Sequence, residues 1–175
     1  MKRELWLLRH AKAKRDLPVD DFDRPLKKRG KQAATQVGEW LKTQHLIPDV
    51  ILSSPAKRAA DTAILVYTAL DKVTPPILFD ERLYFHGADA LKSVLAEYPT
   101  APQRVLLVGH NPDLEDLLAY LIRAEDSPLP LQESPCLATA TLAKIKMPND
   151  WSTLEMGCAR LLGLVHGKSL PDENV

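Results

Sequence analysis

Two spacings of apolar residues alternate along the chain. Leu5 to Leu8 is apolar at every position, the pattern of a central strand covered on both faces. From about Lys27 to Gln44, Ala33, Ala34, Val37, Trp40 and Leu41 recur three and four apart and share one helical face. Asp49 to Leu52 (DVIL) is the next strand. The stretch SSPAKRAADTAILVYTAL follows, with Ser54 placed to cap a helix and Pro55 at its first position. Ala59, Ala60, Ala63, Ile64 and Tyr67 give that helix a buried face. Pro75 and Pro76 punctuate before a short strand at Ile77 to Phe79, and Ala88 to Glu97 reads as helix. Val105 to Val108 (VLLV) is a second all-apolar strand. A helix starts near Pro112, with acidic residues in its first turn where the helix dipole favours them. Leu137 to Met147 alternates weakly, and Arg160 to His166 reads as a last strand. Asp16 to Pro25 is polar with two prolines and reads as loop, and the polar tail after Gly167 is expected to fray.

Strands alternating with helices predict one α/β domain over residues 1–175, with a mostly parallel sheet and helices on both faces. In such sheets ligands bind beyond the carboxyl ends of the strands. Arg9-His10, Ser53-Ser54 with Arg58, and Gly109-His110-Asn111 each lie just past a predicted strand. Three strand ends therefore deliver polar groups to one edge.

Composition narrows the partners. The 175 residues carry 23 basic and 23 acidic side chains, for a formal net charge of zero. No overall field draws in nucleic acid or an anionic membrane, so an anion site must be local. No apolar run approaches the roughly 20 residues that span a bilayer. Met-Lys-Arg-Glu leads straight into the first strand without a signal-peptide pattern, which points to a cytoplasmic protein. Cys136 and Cys158 are too few for a disulfide framework and read as buried or idle thiols.

At the shared edge, two histidines (His10, His110) and two arginines (Arg9, Arg58) would converge. Arginine is permanently cationic, and its planar fork matches phosphate oxygens. The start of the helix after Ser54 also favours an anion. Phosphoryl transfer needs mainly positioning and charge neutralisation. A neutral imidazole can attack phosphorus if its other nitrogen donates a bond that fixes the tautomer, and a second, protonated histidine would add positive charge. Residue types do not say which histidine does which. Zinc is disfavoured: arginines repel a cation, and no HxH, HxxxH or HExxH spacing occurs. No cofactor is implied.

The motifs LLRHAKA (7–13), RPLKKRGKQAA (24–34), SSPAKRAADTA (53–63) and LLVGHNP (106–112), in that order, resemble the histidine phosphatase superfamily, and within it the short SixA-like phosphohistidine phosphatases. The resemblance runs from about residue 4 to about 166. It implies a three-layer α/β/α sandwich and a metal-independent phosphatase with a transient phosphohistidine. By resemblance His10 is the nucleophile, Arg9 and Arg58 bind phosphate, and His110 is the second pocket histidine. Ala11 replaces the glycine of the commoner Arg-His-Gly, and Ala13 stands where many relatives have serine, removing one phosphate hydrogen bond. Larger relatives carry an acidic proton donor after the third strand, and Glu81 is the nearest candidate here.

Around this set, Arg24 is a candidate for the pocket rim, Lys12 on a solvated loop face for guiding an anionic substrate, and His86 for a substrate contact. Asn111, also a candidate contact, would shape the loop carrying His110. Ser53 and Ser54 read as turn and cap residues, and Asp61 as the acidic neighbour of Arg58 at helical spacing. The implied substrate is a phosphohistidine on a protein, such as a phosphocarrier or phosphorelay domain. The alternatives are a small phosphorylated metabolite, a sugar phosphate or nucleotide, and a phosphate-reading module without turnover. Neither nucleic acid nor membrane is an expected partner.

Overall fold

The all-apolar strands sit at the centre of a sheet because helices cover both of its faces. The computed structural model describes residues 2–71, 76–123, 125 and 137–171. In chain order these form β1 (Arg3–Arg9), α1 (Lys28–Thr43), β2 (Val50–Ser53), α2 (Lys57–Ala69), β3 (Ile77–Phe79), α3 (Ala88–Ala96), β4 (Arg104–Gly109), α4 (Asp113–Leu121), β5 (Thr141–Met147) and β6 (Arg160–His166). The strand order is β3-β2-β4-β1-β5-β6. The first four run parallel, and β5 is antiparallel to both β1 and β6.

Alternation along β1 explains its composition. Leu5 and Leu7 pack with Val105, Leu107 and the apolar faces of α3 and α4, through Leu91, Leu95, Leu114 and Leu117. Trp6 and Leu8 point the other way, onto α1 and α2 through Val37, Leu41, Ala59 and Val66. A strand with a core on each side needs an apolar residue at each position, and each such side chain contributes roughly 1.5–3 kcal/mol by burial. The result is the α/β/α sandwich, with a mostly parallel sheet as expected.

Some boundaries differ from the sequence reading. Helix α2 begins at Lys57 with Ala56 as its cap residue, not at Pro55 after a Ser54 cap. The Ser54 hydroxyl instead accepts from the Ala56 N–H at 3.2 Å, two residues on, which forms a local turn before the helix. Asp16 to Pro25 is not all loop, since Asp21–Asp23 forms a short 3-10 turn. The chain after Gly167 does not fray at once. Gly167–Ser169 makes another such turn, the Gly167 N–H donates to Ala140 O at 2.9 Å, and Leu170 packs on the α1–α2 core. Cys158 is a free, half-buried thiol, and Cys136 lies outside the described residues. Among the described residues no helix is long and apolar enough to cross a membrane.

Helices α1 and α2 touch at Gly38. A Cβ built there would lie 2.6 Å from Ala69 Cβ and 2.8 Å from Val66 O. Gly38→Ala gains helix propensity of about 1 kcal/mol but forces the helices apart, a change that costs about 1–3 kcal/mol in a packed core. Urea denaturation should show a lower midpoint for the variant. An unchanged or higher midpoint would mean that the two helices part freely.

Candidate active site

The sheet register brings the polar motifs to one level. Arg9 pairs with Gly109 and Ser53 with Val108. The ladder continues one residue beyond: the His10 N–H donates to Gly109 O and the Ser54 N–H to Val108 O, both at 3.0 Å. The helix that follows β1 lies on one face of the sheet and the helix that follows β4 on the other. That divergence at the strand ends opens the crevice in which α/β sheets bind ligands.

His10 is 9% exposed. Its Nδ1 is 2.8 Å from Ala11 O, and its Nε2 faces Arg58 Nε at 3.4 Å. A carbonyl only accepts and a guanidinium only donates, so Nδ1 holds the proton and Nε2 keeps its lone pair. The His110 ring lies 5.2 Å from that of His10, centroid to centroid. Its Nε2 is 2.8 Å from Ser54 Oγ. The Ser54 hydroxyl hydrogen has no other acceptor among the described bonds, so its donation to Nε2 leaves the ring proton on Nδ1. Nδ1 of His110 and Nε of Arg9 are both buried without a hydrogen-bond partner among the described residues. Two donors with capacity to spare thus belong to the same residue cluster as a ring nitrogen whose lone pair meets Arg58 Nε.

The Arg58 guanidinium is held at its far end. Nη1 donates to Asp21 O at 2.7 Å and Nη2 to Asp21 Oδ2 at 2.9 Å. Of the five N–H groups in the fork, Asp21 occupies the end edge, and the Nε edge is turned to His10. Asp21 also accepts from Tyr84 Oη at 2.6 Å and Arg24 Nε at 2.9 Å. Arg9 donates through Nη1 to Leu137 O at 3.0 Å. Asn111 Nδ2 donates to the same carbonyl at 2.8 Å and to Glu115 Oε1 at 2.9 Å. Beneath the site, Thr62 Oγ1 accepts from the Ala11 N–H at 3.0 Å and steadies the residue after His10. Aromatic rings flank the mouth: Phe85 lies 4.7 Å and Tyr84 5.4 Å from His110, and Phe22 meets Tyr84 edge-on at 5.2 Å.

Residues 5–84 match the family model of the histidine phosphatase superfamily, branch 1. Over 158 residues the chain is 31% identical to the uncharacterized protein Rv1276c of Mycobacterium tuberculosis, covering 89% of this chain and 97% of that one. The chain belongs to the histidine phosphatase superfamily, in its SixA-like branch. Two solved structures support the branch. A proposed phosphohistidine phosphatase SixA from Nakamurella multipartitia has a TM-score of 0.78 at 29% identity, with 95% of this chain and 96% of that one covered. A proposed SixA from Agrobacterium tumefaciens has a TM-score of 0.77 at 29% identity, with 94% and 98% covered. The family match and the SixA neighbours together support a phosphatase whose substrate carries a phosphoryl group.

In this histidine phosphatase fold both pocket histidines are neutral. Burial is the main cause for His10, and Arg58, Arg9 and Arg24 add to it against the opposing bond to Ala11 O; its pKa falls to about 4. Burial, then His10 and Arg58, lower His110 to about 3. Burial pushes the Asp21 carboxyl up, but the bonds from Tyr84, Arg58 and Arg24 outweigh it and bring the group to about 2. Lys12 is lowered by burial and by the neighbouring cations Arg15, Arg29, Lys27 and Arg9.

The four central residues of the sequence reading (His10, Arg9, Arg58, His110) come together, and the peripheral ones scatter. Arg24 stands at the rim, reaching Asp21 and Lys14 O. Asn111 has its amide hydrogens committed to Leu137 and Glu115 and braces the His110 loop. His86 is exposed on the turn after Tyr84 and Phe85. Glu81 opens the 3-10 turn Glu81–Leu83 with an exposed side chain. Asp61 pairs with Lys57 at 3.3 Å, whereas the carboxylate on Arg58 is Asp21. Asp21, Ser54 as the partner of His110, Tyr84 and Phe85 join the site through tertiary contacts that the sequence pattern does not single out. For Asp21 the one available signal was three aspartates just before Arg24-Pro25.

Two outcomes test this geometry. In the unfolded chain the histidines titrate near 6.5, so between 6.5 and about 4 the unfolded state binds more protons than the folded state. Stability should therefore fall as pH drops through that window. Asp21, lowered from 3.8 to about 2, removes more stability below it. A urea midpoint that stays level from pH 7.5 to pH 4.5 would contradict two buried neutral histidines. Asp21→Asn should loosen Arg58 and raise KM for a phosphorylated substrate about tenfold, since a bond to a charged group is worth roughly 1.5–3 kcal/mol. A lower KM would instead mean that the Asp21 carboxylate competes with the phosphoryl group for Arg58.

Proposed function

We propose that the chain is a metal-independent phosphatase in which His10 takes up the phosphoryl group, and that its substrate is a phosphohistidine on a protein. The observation that carries the first part is the His10 ring, with Nδ1 tied to Ala11 O and the Nε2 lone pair 3.4 Å from Arg58 Nε. Nε2 attacks phosphorus in line, a new P–N bond forms, and the bond to the leaving group breaks. Arg58 and Arg9, the latter through its spare Nε–H, neutralise charge on the equatorial oxygens, and the Nδ1–H of neutral His110 donates to them. Water then attacks the phosphohistidine, which releases phosphate and restores the neutral His10.

The leaving group needs a proton. Asp21 is ionised by its three donors and has none to give. An imidazole leaving from a phosphohistidine is protonated by solvent far more readily than an alkoxide, and this favours a P–N substrate. For a phosphate ester, Glu81 on the turn beside Tyr84 is the candidate donor. The names of the Nakamurella and Agrobacterium relatives point the same way. The partner would then be a phosphocarrier or a phosphorelay domain.

The test is a paired rate comparison in the presence of a chelator. A phosphohistidine phosphocarrier protein is set against a panel of sugar phosphates and nucleotides, for the wild type and for His10→Ala. The wild type should favour the protein in kcat/KM by at least tenfold and be indifferent to chelator. The variant should lose about a thousandfold or more, as nucleophile removal does, with its fold intact by circular dichroism. Near-normal turnover by His10→Ala removes the mechanism. A preference for a small molecule keeps the mechanism and moves the substrate to a metabolite.

A further inference from the structure

Phe85 has a backbone that phenylalanine adopts only at a cost. Its φ is +56°, in the left-handed region where a residue with a large side chain is a true outlier. Burial does not compensate, because the residue remains 47% exposed. The conformation gives placement instead. The ring lies 4.7 Å from His110 and 4.8 Å from Tyr84, with the Arg58 guanidinium carbon 5.9 Å from its centroid. The turn is fixed on both sides. Asp80 Oδ1 accepts from the Arg82 N–H at 2.9 Å, and the buried Asp113 accepts from the Gly87 N–H at 3.0 Å. Strain held in place by its surroundings, at the residue touching a pocket histidine, marks a functional position.

Arg9 and Arg58 bring guanidiniums to the pocket histidines, and Phe22, Tyr84 and Phe85 set aromatic rings against one another beside His110. The phosphoryl group belongs with the guanidiniums, and the leaving group departs opposite His10 Nε2, toward solvent. A sugar would find few hydrogen-bond partners on the Phe85 face, whereas a flat ring would stack on it. We infer that Phe85 forms the wall of a leaving-group subsite that takes an aromatic or heteroaromatic ring joined to the transferred phosphoryl group through a ring nitrogen or a single ester oxygen. Phe85 is thus a specificity-determining residue. The inference rests on the displacement by His10 proposed above and adds what that displacement expels. The same ring chemistry is offered by the imidazole of a protein phosphohistidine and by the aryl group of a small phosphate ester.

The experiment compares kcat/KM for phosphoimidazole, phenyl phosphate, phosphoramidate (no ring) and a phosphohistidine phosphocarrier, using wild type, Phe85→Gly, Phe85→Leu and Phe85→Tyr. Phe85→Gly should lose five- to tenfold more on phosphoimidazole and phenyl phosphate than on phosphoramidate. Phe85→Leu, which keeps bulk but not the flat ring, should show most of that differential, and Phe85→Tyr should restore the ring-bearing substrates. Because Phe85→Gly also relieves the backbone, its Tm should equal or exceed that of the wild type. Equal losses on all three small substrates, no loss on any, or a fall in Tm of several degrees would overturn the subsite and make the ring a structural prop for His110. A carrier affected as strongly as phosphoimidazole identifies the ring as a protein side chain, and a carrier unaffected while phenyl phosphate suffers identifies a small molecule. Wild type inactive on every substrate, or as active as His10→Ala, would defeat the displacement itself, a result distinct from loss of the subsite.

Discussion

The mouth of this protein is organised around a buried charge. Arg58 is 1% exposed and carries a cation that cannot be neutralised by giving up its proton. Taking such a group out of water costs several kcal/mol unless it is paired and hydrogen-bonded. Asp21 supplies the pair, through its carboxylate and its own carbonyl. In doing so it draws the Asp16–Pro25 segment over the helix that carries Arg58, and Tyr84 and Arg24 close on the same carboxylate. One ion pair therefore fixes the loop, sets the edge of the guanidinium that meets His10, and brings the aromatic turn to the opening.

The arginines at the two ends of β1 illustrate how surroundings divide structural from chemical roles. Arg3 is 2% exposed, stacks on Trp151 and donates to the carbonyls of Tyr98, Pro99, Pro102 and Asn149. Four of its five N–H groups tie the amino end of the sheet to two loops. Arg9 makes one described hydrogen bond, to Leu137 O, and keeps a buried Nε–H unpaired among the described residues. Identical side chains on one strand thus serve as a clasp at one end and as spare donor capacity at the other.

The electrostatics follow from the same burial. His10 and His110 stand among guanidiniums, where a proton on either ring would add like charge in a dry site. Both are therefore neutral at physiological pH, and the neutral form is the one with a nucleophilic nitrogen. The hydrogen bond that His10 Nδ1–H donates to Ala11 O and the one that His110 Nε2 accepts from Ser54 Oγ then choose which nitrogen that is. A site kept in this state loses stability in acid and retains positive charge for an incoming dianion.

Much of this was legible before any coordinates. Runs such as Leu5–Leu8 and Val105–Val108 are apolar at each position because both faces of the sheet are covered, and this local signal located the strands and therefore the ends from which Arg9-His10 and Gly109-His110 project. Asp21 was not legible, because nothing in DDFDRP tells which of three aspartates will meet an arginine 37 positions later. Ser54 read as a helix cap because its residue type favours caps, and only the approach of β4 to β2 gave its hydroxyl an imidazole instead. Phe85 offers no sequence signal for a left-handed backbone, since that strain exists only where the neighbouring loops hold it. The sequence alone determined the layers, the strand ends and the types of group gathered there, since these depend on periodicity within a few residues. The tertiary structure decided the partners, tautomers and exposed edges, because these depend on distances between segments that are far apart in the chain and are settled only when the sheet and its loops close together.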